Sequence, residues 1–289
     1  VAIATTCVTS SMFLTALAPN LLAVDLIAKS SGHVITWAEW ASVMLPLMIP
    51  LFLLTPWLTY VIYPPTQKKS PEAPAWATEE LKTLGAITFK EYLMAGLATV
   101  ALILWIFNKE FGVDSTTVAI AVVSIMVLAD IITWDDLISN KAAFNVLIWF
   151  ASLVAMASGL QKVGVLAWIG TNTQAMLSGM SPTALIVSLL VLFFILHYLF
   201  ASVTAHVTAL IPIFMAIAIN LLTPEQVVPF TIILAGSLGV MGIITPYATG
   251  PSPIWYGAGY ISQGKWWALG AIFGAIYLAV IILGAFLFI

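Results

Sequence analysis

Long apolar windows fill most of the chain, and the places where they are interrupted carry most of its information. A window of roughly 20 apolar residues crosses a bilayer as a helix. The first such window covers residues 1–28 and is interrupted at Ala18-Pro19-Asn20. The second runs from Trp37 to Tyr63 with Pro46, Pro50 and Pro56 inside it. Further spans are predicted at 92–108, 114–132 and 143–160, and a last, clean one at 267–289. Residues 183–222 are apolar around a small polar island, Ser202-Val203-Thr204-Ala205-His206, while the span 227–260 breaks at Thr245-Pro246-Tyr247-Ala248-Thr249-Gly250-Pro251-Ser252-Pro253. The less apolar stretch Gly164–Gly179 reads as an interfacial helix or loop.

A polar stretch, 64–91, separates the second span from the third. Pro64, Pro65, Pro71 and Pro74 are expected to keep it extended. Thr78 is expected to cap a short helix with Glu79 and Glu80 in its first turn, and Gly85 to end it. Trp76, Leu81 and Leu84 would lay that helix on a membrane surface.

Composition fixes the class. Hydrophobic residues make up 62% of the chain and charged residues 7%, against about a quarter charged in a soluble domain. Lipid is therefore the solvent, and the fold class is an all-α integral membrane protein. A net charge of -3 offers nucleic acid no footing. The single cysteine, Cys7, excludes a disulfide framework. Enzyme chemistry has no motif to stand on: neither HExxH nor GxSxG occurs. Asp130, Asp135 and Asp136 read as solvated acids at a span end, His33 as interfacial and His197 as a helix-packing residue.

Lysine placement orients the spans. With 64–91 in the cytoplasm and 183–222 as a re-entrant hairpin, Lys68, Lys69, Lys82, Lys90, Lys141 and Lys265 fall inside and Lys29, Lys109 and Lys162 outside, the expected sign of bias. Trp37, Trp40, Trp134, Trp168, Trp266 and Trp267 sit near span ends, as an aromatic belt would. The chain opens directly on membrane-type sequence with no secretory signal, and is expected to begin inside a longer protein.

The chemistry lies in the interruptions. A broken helix in lipid leaves backbone groups unpaired, which is tolerated only against protein or a polar cavity. Transporters use such half-helix ends to hold ions: N-termini face anions, and freed carbonyls ligate cations. Two spans are broken by a proline beside a small polar residue, Pro19-Asn20 and Pro251-Ser252, as an inverted repeat would produce; simple proline kinks are the alternative. In the island 202–206, hydroxyls that bond back to their own helix and a His206 that pairs with a neighbouring helix account for the residues as well as a binding site does. Arginine is absent from the chain, so a bound dianion would rest on hydroxyls, amides, backbone N–H and helix N-termini, aided by any bound cation.

These residues resemble the divalent anion:sodium symporters, in the branch of citrate, tartrate and 2-oxoglutarate/malate carriers. The likeness lies in Ser10-Ser11-Met12-Phe13-Leu14-Thr15-Ala16-Leu17-Ala18-Pro19-Asn20, in the linker from Tyr63-Pro64-Pro65 to Leu84-Gly85, in Phe200-Ala201-Ser202-Val203-Thr204-Ala205-His206, and in Thr245-Pro246-Tyr247-Ala248-Thr249-Gly250-Pro251. The resemblance implies an inverted-repeat transporter fold with broken helices and re-entrant hairpins: 1–63 closing the first repeat, 64–91 a cytoplasmic linker, and 92–289 the second repeat with hairpin 183–222 and broken helix 227–260. It implies a substrate site at Ser202, Val203, Thr204, His206, Thr249, Gly250, Pro251, Ala18, Pro19 and Asn20. A sodium ion, the one cofactor it admits, would lie at Ser202, Thr204, Thr245, Ala248 and Ala16. Two departures stand out: Val203 replaces the family's asparagine, and Thr249-Gly250-Pro251 replaces Thr-Pro-Pro. Val203 brings no side-chain oxygen, which favours exchange over sodium coupling. Ser202 precedes Pro251 by 49 residues, so the first repeat's tip would lie roughly 30 residues before Val1.

The expected function is secondary transport of a small organic anion, a di- or tricarboxylate, by alternating access in a homodimer in the bacterial inner membrane, with a mobile part carrying the site past a scaffold. An inorganic divalent anion is the alternative substrate. A channel should show a continuous polar stripe and an intramembrane enzyme a nucleophile–base or metal-ligand set; the sequence shows neither.

Overall fold

The computed structural model describes residues 1–141 and 179–289 and, between them, residues 143, 144, 147, 148, 152, 155, 156, 159, 162–165, 168, 171, 172 and 177. The predicted span 143–160 and the interfacial stretch 164–179 therefore fall largely outside the described residues. The chain forms two compact units, one of Val1–Leu58 with Val146–Ile289 and one of Thr59–Asn145. Among the described residues every long element is a helix, and six helices are long and apolar enough to cross a membrane. The protein is a multi-pass, all-α membrane protein.

The second unit holds α4 (Ala73–Leu84), α5 (Phe89–Ile106), α6 (Asn108–Phe111), α7 (Ser115–Leu128) and α8 (Trp134–Ile138). α5 packs on α7 and otherwise leaves its apolar side chains exposed. Its start is closed by a capping box in which the Thr88 hydroxyl accepts from Glu91 N–H and Glu91 accepts from Thr88 N–H. α4 begins five residues before the expected Thr78 cap, because Pro74 seeds its first turn. Thr78 lies within it and donates to the Pro74 carbonyl at 2.8 Å. Gly85 ends it with φ 74°, as expected. The acids near α8 are solvated. The Asp136 carboxylate caps Thr133, and the hydrogen bonds from the Thr133 side chain and backbone hold its pKa below the usual carboxylate value. Lys90 donates to the Asp130 carbonyl.

The first unit surrounds α11 (Pro224–Val240), in which every residue from Phe230 to Val240 is buried. α1 (Ala2–Met12), α2 (Ala18–Ser31), α9 (Pro182–Leu196), α10 (Val203–Leu221) and α13 (Gln263–Phe288) pack against it. α3 (Trp37–Ile62) stays helical through Pro46, Pro50 and Pro56. α1 crosses α11 so closely that a methyl group at Gly239 would lie 2.6 Å from the Ser11 backbone nitrogen, so only glycine fits there. At Gly270 of α13 the same test brings a methyl within 2.8 Å of the Ile243 and Ile244 carbonyls.

Candidate functional site

Both predicted breaks exist, and they share a construction. The first helix ends at Met12; Phe13 is extended, Leu14–Ala16 form a tight turn, Leu17 is extended, and α2 opens at Ala18. The break thus lies at 13–17, a few residues before the expected position, because proline fits the first turn of a helix better than its interior. Ala18-Pro19-Asn20 is that first turn. In the second case α11 ends at Val240, Met241–Ile243 form a tight turn, an irregular loop follows, and the short α12 (Pro251–Gly257) opens on its proline.

The residue after each proline reaches back across its break. Asn20 is fully buried, and its amide donates to the Ser10 carbonyl at 2.9 Å and to the Phe13 carbonyl at 3.4 Å. Ser252, also fully buried, donates to the Gly242 carbonyl at 3.3 Å. In both cases the bond spans ten residues, from Asn20 to the last turn of α1 and from Ser252 to the tight turn that follows α11. Carbonyls freed at a helix end need a donor once water is excluded. Trp40 Nε1 donates to the Ser11 carbonyl at 3.2 Å, and the Ser11 hydroxyl accepts from Val240 N–H at 3.0 Å, joining the two broken helices to each other.

The polar island forms a third irregular point. α9 tightens into the turn His197–Leu199, the chain extends through Phe200 to Ser202, and α10 begins at Val203. No Gly or Pro marks this turn. The connection touches the second break directly: His197 Nε2 lies 2.9 Å from the Ala248 carbonyl, and the Tyr247 hydroxyl donates to the Tyr198 carbonyl at 3.3 Å. Trp267 of α13 stacks on Tyr198 and meets Tyr247 edge-on. α10 packs along α2, whose N-terminus is the first break.

Of the residues singled out in the sequence, Ser202, Thr204, Thr249 and Pro251 are half-buried, Ala16, Ala18 and Gly250 exposed, and Val203, Pro19, Asn20, Thr245 and Ala248 buried. His206 is fully enclosed by the rings of Phe193, His197 and Phe200, with centroids 4.4, 4.9 and 5.1 Å away. Thr208 donates to the Thr204 carbonyl within its own helix at 2.8 Å, the packing alternative weighed for the island. The helices that open at these points, α2, α10 and α12, start at Leu17, Ser202 and Gly250 with no side-chain cap. Thr88, Asp114, Thr133 and Ser181 cap α5, α7, α8 and α9, while α1, α4, α6 and α13 are likewise without a side-chain cap. Uncapped N-termini present N–H groups and a positive dipole end to an anion. No cluster of three His, Cys, Asp or Glu side chains suited to a metal occurs among the described residues. A pocket lined by Thr183, Ile186, Val187, Gln226, Ala285, Phe286 and Ile289 lies at the opposite end of α9 and contains none of these residues.

Sequence reasoning marked Pro19-Asn20 and Pro251-Ser252 as breaks but missed that Asn20 and Ser252 close them, and it missed Ser11 and Tyr247. The doubled Pro-polar pair was the signal available; Ser11 and Tyr247 act through neighbours far along the chain, which no local pattern announces.

Broken helices meet inside an apolar bundle, and sequence comparison gives the family to which that bundle belongs. The model of the sodium:sulfate symporter transmembrane region matches residues 1–288. The chain belongs to that family. It is similar to proteins named L-tartrate/succinate antiporter from Escherichia coli strain K12, Shigella boydii and Shigella flexneri, each 47% identical over 278 residues. The match covers 96% of this chain and 56% of each relative, so the chain spans about half their length.

Proposed function

We propose that this chain forms part of a carrier of the bacterial inner membrane that exchanges one small dicarboxylate for another, such as L-tartrate for succinate. The named relatives supply the substrate class. The observation that carries exchange is the state of the breaks: their freed carbonyls bond to side-chain donors of the protein, while the helix N-termini beside them stay uncapped. Ala248, a candidate sodium ligand, accepts from His197, and the Thr245 hydroxyl accepts from Tyr247 N–H at 3.4 Å. Carbonyls engaged in this way are poorer cation ligands, and Val203 adds no oxygen. Ser202, Thr204 and Thr249, with the N–H groups opening α10 and α2, then bind the carboxylates, and Ala18, Pro19, Asn20, Gly250 and Pro251 shape the two breaks around them.

In this reading the two breaks are the corresponding points of an inverted repeat, 64–91 is the cytoplasmic linker, and the carrier works as a homodimer by alternating access. Transport needs no covalent step. The test is counterflow: a full-length carrier containing this chain is reconstituted, and labelled L-tartrate is offered to vesicles loaded with succinate or left empty. Uptake should occur only into loaded vesicles and persist when potassium replaces sodium. Concentrative uptake into empty vesicles driven by a sodium gradient would instead establish the symport implied by the family's description.

A further inference from the structure

The tip 197–202 and the loop 244–250 come from segments about 50 residues apart, yet two hydrogen bonds and one tryptophan hold them together. A carbonyl oxygen only accepts, so the Ala248 contact assigns the proton to His197 Nε2. The ring is fully buried, and its Nδ1 has no partner. Only one of its nitrogens is thus engaged, and that one bonds to the backbone of the second break. His206 packs against the imidazole at 83°, and Phe193 and Phe200 in turn close on His206 at 73° and 81°. A second tie runs the other way, from the Tyr247 hydroxyl in the break to the Tyr198 carbonyl in the tip. Trp267 braces both tyrosines.

We propose that His197 is a positioning residue: its Nε2–H fixes the Ala248 carbonyl, and with Tyr247 it locks the tip that leads into Thr204 to the loop bearing Thr249 as one prebuilt site. The inference rests on the exchange-carrier reading for its ligand but not for its geometry. Thr249 follows Ala248 directly, so the orientation of the Ala248 peptide sets where the Thr249 backbone begins. Gly250 is exposed, and the Ala248 N–H reaches the Thr245 carbonyl only at 3.4 Å. Without the histidine donor, Ala248 would keep a buried, unpaired carbonyl.

The test uses His197→Leu, which removes the donor, and His197→Gln, whose amide nitrogen reaches the place of Nε2. In a full-length carrier containing this chain, His197→Leu should raise the KM for external succinate about 10-fold or more while the saturated exchange rate changes less than about threefold. His197→Gln should return KM to within about threefold of the parent. Hydrogen–deuterium exchange supplies a readout that needs no substrate. His197→Leu should speed exchange in 244–250 and 197–203 together while α11 keeps its protection. If the parent carries no dicarboxylate, the functional reading fails while the exchange pattern still tests the tie. An unchanged pattern in His197→Leu, or a KM equal to that of the parent, overturns the proposal. So does a His197→Gln variant as impaired as the leucine, provided both hold the parent's melting temperature.

Discussion

At the first break Asn20 spans the gap, placing two amide hydrogens on the Ser10 and Phe13 carbonyls, while Trp40 serves the Ser11 carbonyl beside them. At the second, Ser252 has one hydrogen to give and makes a single bond to Gly242 at 3.3 Å; His197, 51 residues before Ala248, holds the loop beyond it. The first gap is five residues, 13–17, and the second twice that, 241–250. A short gap is within reach of a side chain of the helix that reopens, whereas a long one leaves a loop to be held from another part of the fold. The difference leaves the first break bridged by the helix that reopens after it and makes the second a joint coupled to the tip. Both open with proline in the first turn, so the plan is shared and only its completion differs.

The sharpest way to break this comparison is at Asn20. Replacing it with leucine fills the space but takes the amide donor from the Ser10 carbonyl and leaves the Phe13 carbonyl only the Ala16 N–H, at a cost of about 1–3 kcal/mol. Thermal unfolding in detergent should show this as the largest stability loss among the variants considered. A loss no greater than that of an exposed substitution would mean that Asn20 does not close the break. Thr204→Val and Thr249→Val come next: each keeps the side-chain shape and removes a hydroxyl, and succinate affinity measured by calorimetry should fall about 10–100-fold with stability little changed. Unchanged affinity in both would move the site elsewhere. Ser252→Ala should be mildest, removing one neutral hydrogen bond worth about 0.5–1.5 kcal/mol. Its unfolding midpoint should fall less than that of Asn20→Leu, and the reverse order would invert the roles assigned to the two breaks.

Much of this fold was legible because lipid imposes a simple rule on sequence: long apolar runs cross, and only necessity interrupts them. α3, α5 and α13 follow their apolar windows within a few residues. The breaks were legible as Pro19-Asn20 and Pro251-Ser252, though α2 opens on its proline and the irregular residues lie before it. α4 starts at Ala73 because Pro74 is a stronger start signal than Thr78. The turn at 197–202 was visible only as polarity, having neither Gly nor Pro, and its partner, Ala248, is a backbone carbonyl that side-chain patterns do not reveal. His206 shows the same limit. An imidazole in a polar island looks like chemistry, but the rings of Phe193, His197 and Phe200 enclose it.

The central claim is that protein donors, and not a bound cation, satisfy the carbonyls at the breaks. Isothermal titration of succinate into a full-length carrier containing this chain, once in sodium and once in potassium at matched ionic strength, tests it most directly. The account predicts the same affinity in both, since Asn20, Ser252 and His197 already occupy those carbonyls. Binding that appears only in sodium, and strengthens steeply with its concentration, would contradict it.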